Sequence, residues 1–278
     1  MSRRPPLRLL ASSAIAMTLA LSIAACSTPG STRKDDLSPP SEKASSEGLV
    51  RVADDARARG DLVTAIAFYR QAVSATTPAA AALLVKLGDA LMATGAFEQA
   101  SGAYRMASER APDDETALVG LGSADIALGR PAAAVEPLQR AAGLAPGDLR
   151  AHRNLGVALD LTGKHEEARS IYEAALRTAP DDVDLRSDYA LSLALTGDGT
   201  RAVDMMRAVA ASPLAGARHM RNLVLVLGLA GRGDEAGTLA RRMLPADDAT
   251  ALMARIAALR ALAGPTEQAA ALGTTVGG

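Results

Sequence analysis

Six glycines, Gly60, Gly95, Gly129, Gly163, Gly197 and Gly231, stand 35, 34, 34, 34 and 34 residues apart. Each is followed five residues later by an alanine: Ala65, Ala100, Ala134, Ala168, Ala202 and Ala236. Pro112, Pro146 and Pro180 keep the same 34-residue step. A fixed period of this length marks a supersecondary unit that cannot bury its apolar face alone and must stack on its neighbours. Ala and Leu abound, Trp is absent, and aromatic residues make up 2 % of the chain. Ala and Leu lose little freedom in a helix, whereas a sheet would call for β-branched and aromatic residues in alternation. The expectation is an all-α stack of helix pairs.

A 34-residue helical period resembles the tetratricopeptide repeat, and the likeness holds position by position. In 81–114, Leu84, Leu87, Gly88 and Leu91 fill the first-helix signature, and Ala100, Tyr104, Ala107 and Pro112 the second. Units 115–148 and 149–182 follow with Leu118, Leu121, Gly122, Ala134, Leu138 and Pro146, then Leu155, Gly156, Leu159, Ala168, Tyr172 and Pro180. Unit 183–216 is looser, with Tyr189, Ala190, Leu193, Ala202 and Met206. Unit 46–79 is followed by one extra residue, and Pro245 cuts short the second helix of 217–248. A further amphipathic helix spans 249–263 and suits a cap, because end units must close the stack. The resemblance implies a solenoid of about six helix pairs plus a C-terminal capping helix over 46–264, followed by a disordered tail, 265–278. Gly88, Gly122 and Gly156 fall where the two helices of a unit cross. Gly95, Gly129 and Gly163 can take φ > 0 and close the first helix. The prolines stop the second helix, and the acids after them, such as Asp114 and Asp182, are placed to cap the next one.

The N-terminus reads as an address. Arg3, Arg4 and Arg8 precede an apolar run from Leu9 to Ala25, which ends at Cys26, the only cysteine. This is the layout of a signal peptide over 1–25. Ile23-Ala24-Ala25-Cys26 resembles the lipobox of bacterial lipoproteins, in which the cysteine carries diacylglycerol and the new amino group is acylated. Ser27 in place of Asp then implies the outer membrane. Stable attachment needs more than one acyl chain, which such a cysteine receives. The alternatives are a free cysteine after an ordinary signal peptide, or an uncleaved anchor. Residues 26–45, with Pro29, Pro39, Pro40 and several Ser and Thr, read as a flexible tether.

Chemistry-bearing patterns are scarce. A lone cysteine excludes an intramolecular disulfide and a CxxC pair. The histidines, His152, His165 and His219, make no HExxH, and neither GxSxG nor a Walker-type glycine loop occurs. The expectation is no enzymatic activity, no cofactor and no metal. Beyond residue 25 the chain carries 27 basic and 31 acidic residues, a poor balance for nucleic acid, whose phosphates need a basic face.

One surface remains. In tetratricopeptide repeats, first-helix positions 2, 5, 6 and 9 line the inner groove. Here they give Arg150, Arg153, Asn154 and Val157, then Asp184, Ser187, Asp188 and Leu191, then Arg218, Arg221, Asn222 and Leu225. Arg-x-x-Arg-Asn-Leu thus occurs twice, two units apart. Asn amides can bond an extended backbone, and Arg can fork onto carboxylates. Arg150, Arg153, Asn154, Asp188, Arg218, Arg221 and Asn222 are therefore the candidate peptide-binding residues. The alternative is that the arginines pair with Asp184 and Asp188 between neighbouring units.

Lipobox, tether and repeats together resemble the repeat lipoprotein of the Tad (tight adherence, Flp) pilus, the TadD family. The most telling stretches are Asn222 to Arg232 and Ile256 to Leu262. That resemblance implies an outer-membrane lipoprotein facing the periplasm that binds protein partners in pilus assembly, such as the secretin it would guide as a pilotin. A pilotin of another pilus or secretion system, or an envelope scaffold recruiting peptidoglycan enzymes or proteases, stays open beside it. So does an enzyme with an unrecognised site.

Overall fold

A computed structural model describes residues 42–273. Cys26, the signal segment and most of the expected tether lie outside them. Among the described residues there are fourteen helices and no strand. The first twelve form six antiparallel pairs: α1 Glu42–Ala58 with α2 Leu62–Ala75, α3 Ala81–Ala93 with α4 Phe97–Arg110, α5 Glu115–Ala127 with α6 Pro131–Leu144, α7 Leu149–Leu161 with α8 His165–Thr178, α9 Val183–Leu195 with α10 Gly199–Ala210, and α11 Ala217–Leu229 with α12 Gly233–Met243. Two more follow, α13 Ala246–Arg260 and α14 Pro265–Gly273. None is long and apolar enough to cross a membrane.

Two boundaries differ from the sequence reading. Helix α1 begins at Glu42, inside the span expected to be tether. Residues 265–273, expected to belong to a disordered tail, form α14, which packs back on α7, α9 and α13. A nine-residue helix is too short to hold itself together in water, so tertiary contact must hold this one.

Single residues set the turns. All six period glycines take positive φ, from 69° at Gly129 to 91° at Gly197, which ends each first helix in a conformation that a Cβ would strain. Asp61, Asp114, Asp182 and Asp198 each accept a backbone N–H three residues on and so cap the next helix, and Asp148 accepts that of Arg150.

The core repeats as well. The six period alanines are fully buried. Four residues after five of them, on the same helix face, a large side chain presses on the partner helix: Tyr69, Tyr104, Leu138, Tyr172 and Met206. A Cβ on Gly88 would stand 2.7 Å from the Tyr104 ring, and one on Gly156 2.5 Å from that of Tyr172. Gly122 faces Leu138 in the same way. Glycine at the crossing is thus a hole cut for a named knob.

Candidate functional site

The odd-numbered helices pack on one another from unit to unit: α3 on α5, α5 on α7, α7 on α9, α9 on α11, and α11 on α13. Each even-numbered helix from α2 to α12 packs mainly between two odd ones. Closer spacing on the odd side makes it the inner face of the stack. The candidate residues sit on α7, α9 and α11 of that face.

The structure brings four charged residues together. Arg153 Nε donates to Asp188 Oδ2 at 2.9 Å, and its Nη1 to Asp184 Oδ2 at 3.3 Å. Arg218 reaches the same two carboxylates from the other side, hydrogen-bonding Asp184 and lying 3.6 Å from Asp188. Burial opposes the charge on Asp184, but Arg153, Arg218 and His219 hold its carboxyl below the usual range. Burial dominates at Asp188 and pushes its carboxyl up, with Arg153 and Arg218 pulling the other way. Three helices of three units are tied by one network.

His219 completes it. Its Nδ1 accepts the Gly216 N–H at 3.0 Å, so its Nε2 carries the proton and faces Asp184 Oδ1 at 2.9 Å. Sequence reasoning gave His219 no role; its signal was an imidazole one residue beyond Arg218 on a helix flanked by Asp184.

The two copies of Arg-x-x-Arg-Asn-Leu are not used alike. Asn154 donates to Ser123 Oγ at 2.8 Å and Asn222 to Ser187 Oγ at 2.9 Å, so both amides bind the preceding unit. Arg218 finds Asp184 34 residues earlier, where Arg150 finds Thr116. Arg150 turns instead to its own cap, donating Nε and Nη2 to Asp148 Oδ2 at 3.1 and 2.7 Å. Burial would raise the Asp148 carboxyl, but this fork holds it far below the usual range. Arg153 finds Asp184 and Asp188 on the next unit; two units further along, Arg221 finds Leu252 and Ile256 at the same offsets. Arg221 is exposed, with no hydrogen bond or ion pair among the described residues.

The other histidines are also committed. His152 Nδ1 lies 2.9 Å from the Asp148 carbonyl. His165 Nδ1 faces the buried Asp160 at 2.9 Å, and its Nε2 lies 3.3 Å from the Thr266 hydroxyl of α14. Burial raises the Asp160 carboxyl, with His165 and Ser192 working against it. No group of three or more His, Cys, Asp or Glu side chains among the described residues could hold a metal ion.

Two family descriptions, both of the tetratricopeptide repeat, match residues 56–124 and 119–183. The fold is a tetratricopeptide-repeat solenoid. A tetratricopeptide-repeat protein from Parabacteroides merdae superposes with a TM-score of 0.66 at 18 % identity, covering 84 % of this chain and 92 % of its own. The protein MamA does so with a TM-score of 0.53 at 25 % identity, covering 62 % of this chain and 97 % of its own. YrrB, described as a tetratricopeptide-repeat protein with an unusual peptide-binding site, gives 0.50 at 22 % identity, covering 58 % and 82 %. No curated protein matches the chain. Tetratricopeptide repeats generally mediate protein–protein interaction, and such scaffolds are typically not enzymes.

Proposed function

We propose that this solenoid is a non-enzymatic scaffold that binds a protein partner on its inner face. We further propose that a lipid on Cys26 holds it to the outer membrane, facing the periplasm, and that it serves assembly of a Tad-type pilus, with the secretin as the partner to test first. The observation that carries the binding reading is Arg221. It is the one member of the duplicated inner-face set left exposed without a partner among the described residues. An exposed guanidinium with no internal partner is free to fork onto an incoming carboxylate. Arg153, Asp188 and Arg218 hold the floor of the groove, and Asn154 and Asn222 keep their carbonyl oxygens for a backbone N–H. YrrB, with the same fold, is described as having a peptide-binding site. The pilus and anchor readings rest on Ile23-Ala24-Ala25-Cys26 and on the likeness of the C-terminal half to the Tad lipoproteins.

Two measurements test this. Deletion of the gene should abolish surface pili, with restoration by wild type and not by Cys26→Ala. Normal piliation of the deletion strain refutes the pilus role, and full rescue by Cys26→Ala refutes the anchor. For the groove, peptides from the secretin tail are titrated against wild type and Arg221→Ala. A fall in affinity of at least about tenfold, the size of one lost charge-assisted pair, is expected, and unchanged affinity rejects Arg221.

A further inference from the structure

Helix α14 lies against α7 and α9, two inner-face helices, after α13 has already ended the stack. Thr266 stands over the turn that closes α7: a Cβ on Gly163 would fall 2.9 Å from its Oγ1, which also lies 3.3 Å from His165 Nε2. Ala269 is 2 % exposed, and Ala271 and Leu272 pack against the main core cluster. Arg255 of α13 donates to the Leu272 carbonyl at 3.4 Å. Thr266, Ala269 and Leu272 follow one another at steps of three, so one face of α14 makes the contact. Helix α14 thus docks as an amphipathic helix docks in a receptor groove. It covers the end of the inner face where α7 turns into α8, beside Gly163 and His165. Arg153 lies ten residues before Gly163, about 15 Å away along the helix axis, so the Arg153 end stays open.

We propose that α14 is a built-in occupant of the partner groove, competing with a short partner helix of the same chemistry: a small hydroxyl residue, then Ala, then Leu, at steps of three. This rests on the reading of the inner face as the binding surface. The grip is weak enough to be released. Among the described residues the apolar surface comes from the small Ala269 and Ala271 and from Leu272, and ordering a short helix costs about 1–2 kcal/mol per residue in backbone freedom. The tether compensates, since a short linker holds α14 at an effective concentration of the order of millimolar. Ala261 to Gly264 supply that linker. A partner must displace α14, so its apparent affinity falls by the ratio of covered to open groove.

The test uses the full chain and a fluorescent synthetic peptide of residues 262–273. In Ala269→Glu a charge replaces the most buried residue of α14. By hydrogen exchange, α14 should then exchange at least tenfold faster than in wild type, while α7 and α9 stay protected. The peptide should bind this variant at least tenfold more tightly than wild type. Adding Gly163→Asn, a residue that tolerates φ > 0, puts a Cβ where Thr266 sits and should abolish that gain. Three results each overturn the proposal: α14 still protected in Ala269→Glu, equal peptide affinity for wild type and variant, or a gain that survives Gly163→Asn. The assay involves only this chain and its own peptide, so its failure leaves the pilus reading standing, and failure of the piliation test leaves this one.

Discussion

Raising the pH above 10 should unfold this protein through its tyrosines. The chain has four, Tyr69, Tyr104, Tyr172 and Tyr189, and none is more than 3 % exposed. Three donate to carboxylates: Tyr69 to Asp54 at 2.5 Å, Tyr104 to Asp89 at 2.7 Å and Tyr189 to Glu173 at 2.6 Å. Burial first, and the facing carboxylate second, raise the phenols, Tyr189 to about 12 and Tyr69 and Tyr104 further. Burial likewise raises Tyr172, which Asp160 and Asp188 reinforce. Folded values above an unfolded value near 10 mean that the unfolded chain loses protons first. Stability is therefore untouched below about pH 10 and falls as pH rises towards the folded values. One unit above the unfolded value, each phenol that stays protonated in the fold costs on the order of 1 kcal/mol, so the four together cost on the order of 5 kcal/mol, much of the roughly 5–15 kcal/mol that holds a typical domain. The assay follows tyrosinate absorbance and helical circular dichroism through one alkaline titration. The two should change together, in one steep step, and Tyr189→Phe should reduce the steepness by one proton. Tyrosinate appearing near pH 10 while helix content is unchanged would refute the reasoning.

Arg153→Ala should cost about 1–3 kcal/mol in urea unfolding, because it removes the hydrogen bond to the largely covered Asp188 carboxylate and leaves it only the longer contact with Arg218. The loss should be smaller near pH 4 than at pH 7, where the under-paired group stays charged, and Arg153→Met with Asp188→Asn should recover most of it. Gly156→Ala should destabilise by about 1–3 kcal/mol despite the better helix former, since its methyl meets the Tyr172 ring, and Tyr172→Leu in the same chain should relieve part of this. Asp182→Ala removes the cap on the Leu185 N–H and should cost about 1 kcal/mol, read by thermal unfolding.

The frame of the fold was legible because each turn depends on one residue type that nothing else replaces. Gly95 and Gly163 sit at positive φ, Asp114 and Asp182 cap, and Ala100 and Ala168 are too small for anything but a crossing. Helix α14 was not legible. Pro265 to Gly273 falls outside the period and holds one large apolar residue, Leu272, and its helix is held by tertiary contact with α7, α9 and α13. The candidate site was legible as a set of positions and not as a set of states. Arg153 and Arg221 share one local sequence and differ in what stands one unit further on, Asp184 and Asp188 against Leu252 and Ile256. That difference is written in the chain, but it bears on Arg221 only once the stacking geometry is known. The phenol–carboxylate pairs are similar: Asp54 to Tyr69 and Asp89 to Tyr104 are both 15-residue steps, which mean nothing until a turn folds one helix back on the other.

The glycines that admit Tyr104 make the stack less modular than its period implies. Its ring lies against Gly88 of its own unit and also against Gly120 of the next. Removing residues 115–148 would keep every repeat in phase and every cap in place. It would also bring Asn154, the counterpart of Gly120 34 residues on, against that ring. The units fit one neighbour each, like cut keys in a fixed sequence of locks, so chain order is encoded in side-chain volume as well as in covalent connection.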